Sequence, residues 1–283
     1  MIRLILLLAW LAASVYADTS LWKVTYEGKT LYLGGTVHIL RASDYPLPKA
    51  FEEAYQRADT VVFETDMAAV NSPQFALQVQ QRLMFGPQKR LRDVLSGKTY
   101  EMLKQYAARN GIPMEQFDRM KPQMVAITVA NLEFLRIGMD RPGVDLFYFG
   151  RARQSGKTVR WFESAEEQIA MLEAMGRDDE DGLVRQSLEV IGEYKSMMES
   201  MLSAWREGDA ASLQRLGKQY LMHESPEDYR RLIVDRNRRW MVKLKQMLRS
   251  RETEFVLVGT LHLLGPEGLI DQLRRRGYRV EQL

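Results

Sequence analysis

Short apolar runs at both ends of the chain enclose a long middle in which apolar residues recur at helical spacing. Leu21–Val24 and Thr30–Leu33 flank the turn residues Glu27-Gly28 and predict a hairpin leading into a sheet. Thr60–Phe63, Thr158–Phe162 and Glu254–Val258 read as short buried strands, and Arg279-Val280 reads as a closing one. Between them, helices are predicted over Ala50–Ala58, Tyr100–Asn110, Gln123–Ile137, Asp145–Gln154 and Ala165–Met175. Ser164 and Glu167 form a capping box before the last of these. Leu183–Trp205 and Pro226–Leu248 are longer amphipathic stretches, the second opened by Ser225. The order β, then mostly α, then β predicts an α/β fold, α+β by strict layer rules. Its central mixed sheet is built from both chain ends, and a largely helical insertion runs from about 66 to 250 in a single domain spanning 18–283.

With 283 residues, 46% hydrophobic and 27% charged, the chain is long enough to bury a sizeable core. Its 40 Lys+Arg against 37 Asp+Glu leave a formal charge of +3, which calls for no nucleic-acid partner. The absence of cysteine excludes disulfides, thiol catalysis and Cys-type zinc, so any metal must be held by His, Asp and Glu. Met1-Ile2-Arg3, the apolar run Leu4–Ala13 and Ser14–Ala17 read as a secretory signal peptide over residues 1–17, cleaved after Ala17 or kept as an anchor. The apolar run is shorter than the roughly 20 residues a membrane-spanning helix needs. Cleavage leaves no stable membrane span and places the chain outside the cytoplasm, in the periplasm if the source is Gram-negative.

The sharpest chemical signal is an internal echo. Leu31–Leu40 and Phe255–Leu264 match in character, each running from an apolar strand into Gly-Thr-x-His. Two of the three histidines, His38 and His262, occupy these equivalent places. Glycine at a strand end permits either a positive φ or close approach of a ligand, and the carboxyl edge of an open sheet is where α/β folds collect ligands. Glu64, directly after an apolar strand, is the natural third member. Two histidines and a carboxylate facing one crevice would form a facial triad with open positions for water and substrate.

Glu163 ends a strand as Glu64 does and is a candidate ligand or base. Asp66 reads as a helix cap, Asp145 as a helix-start stabiliser or as a partner orienting a histidine, and Lys121 and His223 as surface and loop residues. Gly150–Thr158 imitates a phosphate loop but has one residue too many between its glycines, and it leads from helix into strand. The methionines, Met197, Met198 and Met201 among them, read as fillers of core gaps, and Arg274–Arg276 as an exposed helix end.

The sequence resembles the TraB/GumN family, which includes the TIKI-type metal-dependent proteases. The residues that carry the resemblance are Gly35-Thr36-Val37-His38, Gly259–Leu263, Val61–Glu64, Gly143-Val144-Asp145, Gly156–Glu163 with Glu166–Gln168, and Arg236-Asn237. It implies a site in which His38, Glu64 and His262 hold a divalent metal, of Mn or Co type, with Zn or Fe also open. By the same resemblance Arg236 stabilises an oxyanion and Asn237 positions substrate, beside the catalytic candidates Glu64 and Glu163. The expected function is an exported metal-dependent hydrolase of protease or peptidase type with a peptide or protein substrate. The alternative is a non-catalytic extracytoplasmic protein that binds peptide, polysaccharide or metal. The sequence sets no oligomeric state.

Overall fold

The computed structural model describes residues 19–217 and 225–283, so the leader over residues 1–17 and His223 lie outside the described residues. In chain order the strands are β1 Leu21–Tyr26, β2 Lys29–Thr36, β3 Ile39–Leu40, β4 Thr60–Thr65, β5 Arg141–Pro142, β6 Thr158–Glu163, β7 Glu254–Gly259 and β8 Arg279–Gln282. Six of them form one sheet in the order β6-β4-β7-β2-β1-β8. The strands β2, β7, β4 and β6 run parallel, whereas β1 pairs antiparallel with both β2 and β8. The fold is therefore α/β with a mixed sheet, and its central strands come from the two ends of the chain. The echoing segments are direct neighbours, with Gly35 opposite Val258 and Thr36 opposite Gly259.

The central strands are held by side chains with essentially no exposure, among them Leu31, Leu33, Val61, Val62, Phe63, Phe255, Val256 and Leu257. Phe51 packs against Phe255 and Trp205, and the Trp205 indole N–H donates to the Gly35 carbonyl at 2.7 Å. Each such burial contributes roughly 1.5–3 kcal/mol. A second core lies among the helices Gly97–Arg109, Pro122–Arg136 and Glu180–Glu189, around Leu103, Tyr106, Val125, Val129 and Val184.

Three elements depart from the reading of the sequence. The strand β6 lies where the sequence predicts one, but it is a sheet edge rather than a buried strand. Thr158, Arg160 and Trp161 are exposed because no strand lies beyond them. The stretch Leu183–Trp205 is broken by a 3-10 turn at Val190–Glu193, where Gly192 weakens the helix. The stretch Pro226–Leu248 carries a π turn at Arg230–Val234, and such turns collect at functional sites. Beyond the π turn, Arg236, Asn237, Trp240, Met241 and Leu244 are the buried residues of the helix Asp235–Met247. Among the described residues no helix is long and apolar enough to cross a membrane.

Candidate functional site

Because β4, β7 and β2 are adjacent and parallel, their carboxyl ends open on one edge, where the sequence-predicted residues converge. Glu64 stands near the end of β4, His38 follows β2, and His262 lies in a single helical turn, Thr260–Leu263, that follows β7. The echo thus ends differently in its two copies. After β2 the chain turns into β3, which pairs with β5, whereas after β7 it coils.

Gly259 marks the centre. A Cβ placed on it would lie 3.2 Å from Glu64 Oε1, 3.7 Å from His262 Cδ2 and 3.8 Å from His38 Nε2. Its φ is −50°, so glycine serves here for close approach and not for a left-handed turn. His262 Nε2 lies 3.9 Å from Glu64 Oε1, which also accepts from the Gly259 N–H.

Each imidazole is oriented through its other nitrogen. His38 Nδ1 meets Asp145 Oδ2 at 2.5 Å, and His262 Nδ1 meets Asn237 Oδ1 at 2.7 Å. Asp145 reaches His38 because Gly143, which precedes the helix Val144–Ser155, lies flat against the His38 backbone. A Cβ there would sit 2.2 Å from the His38 carbonyl carbon. The Val144 N–H donates to the Val37 carbonyl at 3.1 Å and completes the junction. Asp145 also accepts from the Leu146 N–H, so both roles considered for it are realised.

Arg236 crosses the site. Its Nη2 donates to Glu64 Oε2 at 2.7 Å, its Nη1 lies 3.1 Å from His262 Nε2, and its Nε donates to both oxygens of Glu163 at 3.0 Å. Glu163 is buried and also accepts from Trp240 Nε1, Gln168 Nε2 and Arg239 Nη2. Its oxygens are thus taken up in holding Arg236, and they have none of the freedom a ligand or base needs. Asn237 is likewise spent on structure, since its Nδ2 donates to the carbonyls of His262 and Glu267, both at 2.9 Å. It positions His262 rather than a substrate. Asp66 is the cap expected, accepting from the N–H groups of Ala68 and Ala69.

Trp240, passed over in the sequence, stacks on Phe162, lies 4.3 Å from the His262 ring and sits 4.7 Å beneath the Arg236 guanidinium. Its place four residues after Arg236 on one helix was the available signal.

The charges follow from these contacts. Asp145 raises the His38 pKa to about 9. Burial pushes Glu64 up, but Arg236, His262, His38 and the Gly259 N–H outweigh it and hold Glu64 at about 2. Burial, aided by Arg236 and His38 and opposed by Glu64, lowers His262 to about 3. At neutral pH His262 is therefore neutral, with its proton on Nδ1 toward Asn237 and its Nε2 lone pair toward Arg236.

In kind, the donor set of two imidazoles and a carboxylate is one that a divalent cation takes, each imidazole being fixed by a second partner. Among the described residues no three such side chains are closed to ligand spacing, and Arg236 competes for His262 Nε2. His38 has 67% of its side chain exposed, and its ring is held by Asp145.

The TraB/PrgY/gumN family model matches residues 20–282. The uncharacterized protein YbaP of Escherichia coli K12 is 25% identical over 258 residues, covering 89% of this chain and 90% of YbaP. Its counterpart in Shigella flexneri is 25% identical over 249 residues, covering 86% and 87%. No solved structure matches the chain. With the family pattern spanning both echoing motifs and everything between them, the chain belongs to the TraB/PrgY/gumN family.

Proposed function

We propose that this protein is an exported metal-dependent hydrolase acting on a peptide or protein. The observation that carries the reading is the convergence of His38, Glu64 and His262 on Gly259, with both imidazoles aimed by Asp145 and Asn237. A divalent cation held by these three supplies Lewis acidity, lowering the pKa of water and polarising the scissile carbonyl. Glu64, held ionised by Arg236 and the two histidines, offers a carboxylate that serves as a ligand. Arg236, anchored by Glu163 and Trp240, commits its N–H groups to Glu163, Glu64, His262 and the Leu232 carbonyl, so it acts through its fixed positive charge beside the place where a carbonyl oxygen gains negative charge. Asp145 and Asn237 are positioning residues, and export rests on the residue pattern of the leader.

The test is metal content and peptide cleavage of the purified protein, after stripping and re-adding Mn, Co, Zn or Fe, beside the His38→Ala/His262→Ala double variant. Metal-restored cleavage that the double variant lacks supports the reading. The contact of Arg236 with His262 Nε2 favours a second reading, a binding protein without turnover. Neither metal nor cleavage across a broad peptide library would sink the hydrolase reading and move the weight to that alternative. N-terminal sequencing of the exported protein checks cleavage after Ala17.

A further inference from the structure

The guanidinium of Arg236 stands on atoms that a metal ion would use. Its Nη1 lies 3.1 Å from His262 Nε2, and its Nη2 donates to Glu64 Oε2 at 2.7 Å. Asn237 fixes the direction of the first contact. Its amide nitrogen is taken up by two carbonyls, so its oxygen faces His262 Nδ1 and accepts the proton there. The Nε2 atom then keeps a lone pair, which serves one partner at a time, a guanidinium proton or an ion. The same cation neutralises Glu163, which is buried, and Glu64, whose side chain is 14% exposed. Two carboxylates so far from water need a cation beside them whether or not metal is bound, because an uncompensated buried charge destabilises the fold strongly.

We infer that Arg236 is a displaceable placeholder for the metal: without an ion its guanidinium holds His262 Nε2, and on loading it yields that lone pair to the divalent cation while keeping its other partners. The inference rests on the hydrolase reading for the presence of a metal but not for the contacts. The partners that remain are enough to hold the side chain. Nε donates to both Glu163 oxygens, and Nη2 lies 2.9 Å from Glu163 Oε2 besides its bond to Glu64. Nη1 also donates to the Leu232 carbonyl at 3.3 Å, within the π turn Arg230–Val234, and the Trp240 ring lies 4.7 Å from the guanidinium. Only the contact of Nη1 with His262 has to break. The side chain has space in which to shift, since Arg236 lines cavities of about 560, 370 and 250 Å³. The consequence is regulatory. A tethered cation that competes for the lone pair lowers the affinity for the ion, so the site loads and empties with metal supply. The fold survives both states, unlike a structural zinc site whose domain unfolds without its ion.

The experiment is competition for zinc between a fluorescent chelator and the wild type, Arg236→Met and Arg236→Lys, with thermal melting of each in the presence and absence of zinc. Arg236→Met removes the charge and the fork together. Arg236→Lys keeps a charge for the carboxylates, but its single nitrogen cannot span Glu163, Glu64 and His262. Both variants are expected to bind zinc about tenfold tighter or better, the factor that losing one competing hydrogen bond implies. The gain should vanish in Arg236→Lys/His262→Ala, which lacks the lone pair in dispute, and a gain that persists there overturns the inference. Zinc should also raise the melting temperature of Arg236→Met more than that of the wild type. Where Arg236→Met folds only with zinc, that rescue is the same result, and where it does not fold at all Arg236→Lys carries the test. Zinc uptake by the wild type with equal or weaker uptake by the variants overturns the inference and leaves the hydrolase reading standing. A gain in Arg236→Met but not in Arg236→Lys also overturns it, because charge repulsion and not the contact then sets the affinity. Uptake by the variants alone would make Arg236 a permanent occupant, ending both the displacement and the metal-dependent reading. Uptake by none of the proteins sinks the two together.

Discussion

Arg236 and Glu163 form the buried brace of the site: the Arg236 Nε donates to both Glu163 oxygens at 3.0 Å, which leaves the guanidinium edge to face Glu64 and His262. Removing the cation strands two carboxylates away from water. Arg236→Met is expected to destabilise the fold by roughly 3–5 kcal/mol, whereas changes at exposed residues such as Arg238 should stay within about 0.5 kcal/mol. Urea unfolding of both variants is the check, and a near-neutral Arg236→Met would show that the brace is not what holds this edge together.

Gly259→Ala separates function from stability. The added methyl enters the space between Glu64, His262 and His38 with no backbone strain, because φ at Gly259 suits any residue. Stability should fall by about 1 kcal/mol, while metal uptake is lost. Thermal melting beside elemental analysis measures the two together. Full metal occupancy in this variant would place the binding site elsewhere.

Asp145→Asn and Asn237→Leu remove the groups that aim the imidazoles. Each should weaken metal affinity roughly 10–100-fold, the usual cost of losing a partner of a ligating histidine. Asn237→Leu should also lower stability, since the His262 and Glu267 carbonyls lose their donor. Competition with a fluorescent chelator gives the affinities. Unchanged values would mean that neither histidine is a ligand.

Stability of the metal-free protein should pass through a maximum near pH 6.5. His262 is lowered from 6.5 to about 3, so the unfolded chain takes up a proton that the folded chain refuses, and stability falls as pH drops from 6.5 toward 3. Glu64, lowered from 4.5 to about 2, adds a loss beginning below 4.5. His38, raised from 6.5 to about 9, stabilises fully below 6.5, and that contribution fades as pH rises through 9. The alkaline limb should be the shallower, because the His38 side chain is mostly exposed and solvent screens its pair with Asp145. Denaturant midpoints across this range, repeated with His262→Gln and Asp145→Asn, should show the fall between pH 6.5 and 4.5 lost in the first, with the Glu64 part below 4.5 kept, and the alkaline limb lost in the second.

Local chemistry determined much of this protein from sequence alone. Apolar runs bounded by turn residues mark β1, β2, β4 and β7, the Ser164–Glu167 box starts its helix, and Asp66 caps another, because each depends only on neighbours a few residues away. The repeated Gly-Thr-x-His and the carboxylate after an apolar strand singled out His38, His262 and Glu64 for the same reason: strand ends are visible locally. Which groups complete the site was decided by tertiary structure. Asp145 lies 107 residues from His38 and Arg236 172 residues from Glu64, and these pairs exist only because the sheet order sets β2, β7 and β4 side by side. The same order puts Glu163 beneath Arg236 and turns a strand-end carboxylate that matches Glu64 in sequence into a buried brace. The methionines read as core filler line a cavity for a like reason. Helical spacing tells which face of a helix is apolar, but only the packing of several helices decides whether that face closes on another or leaves room beside the site.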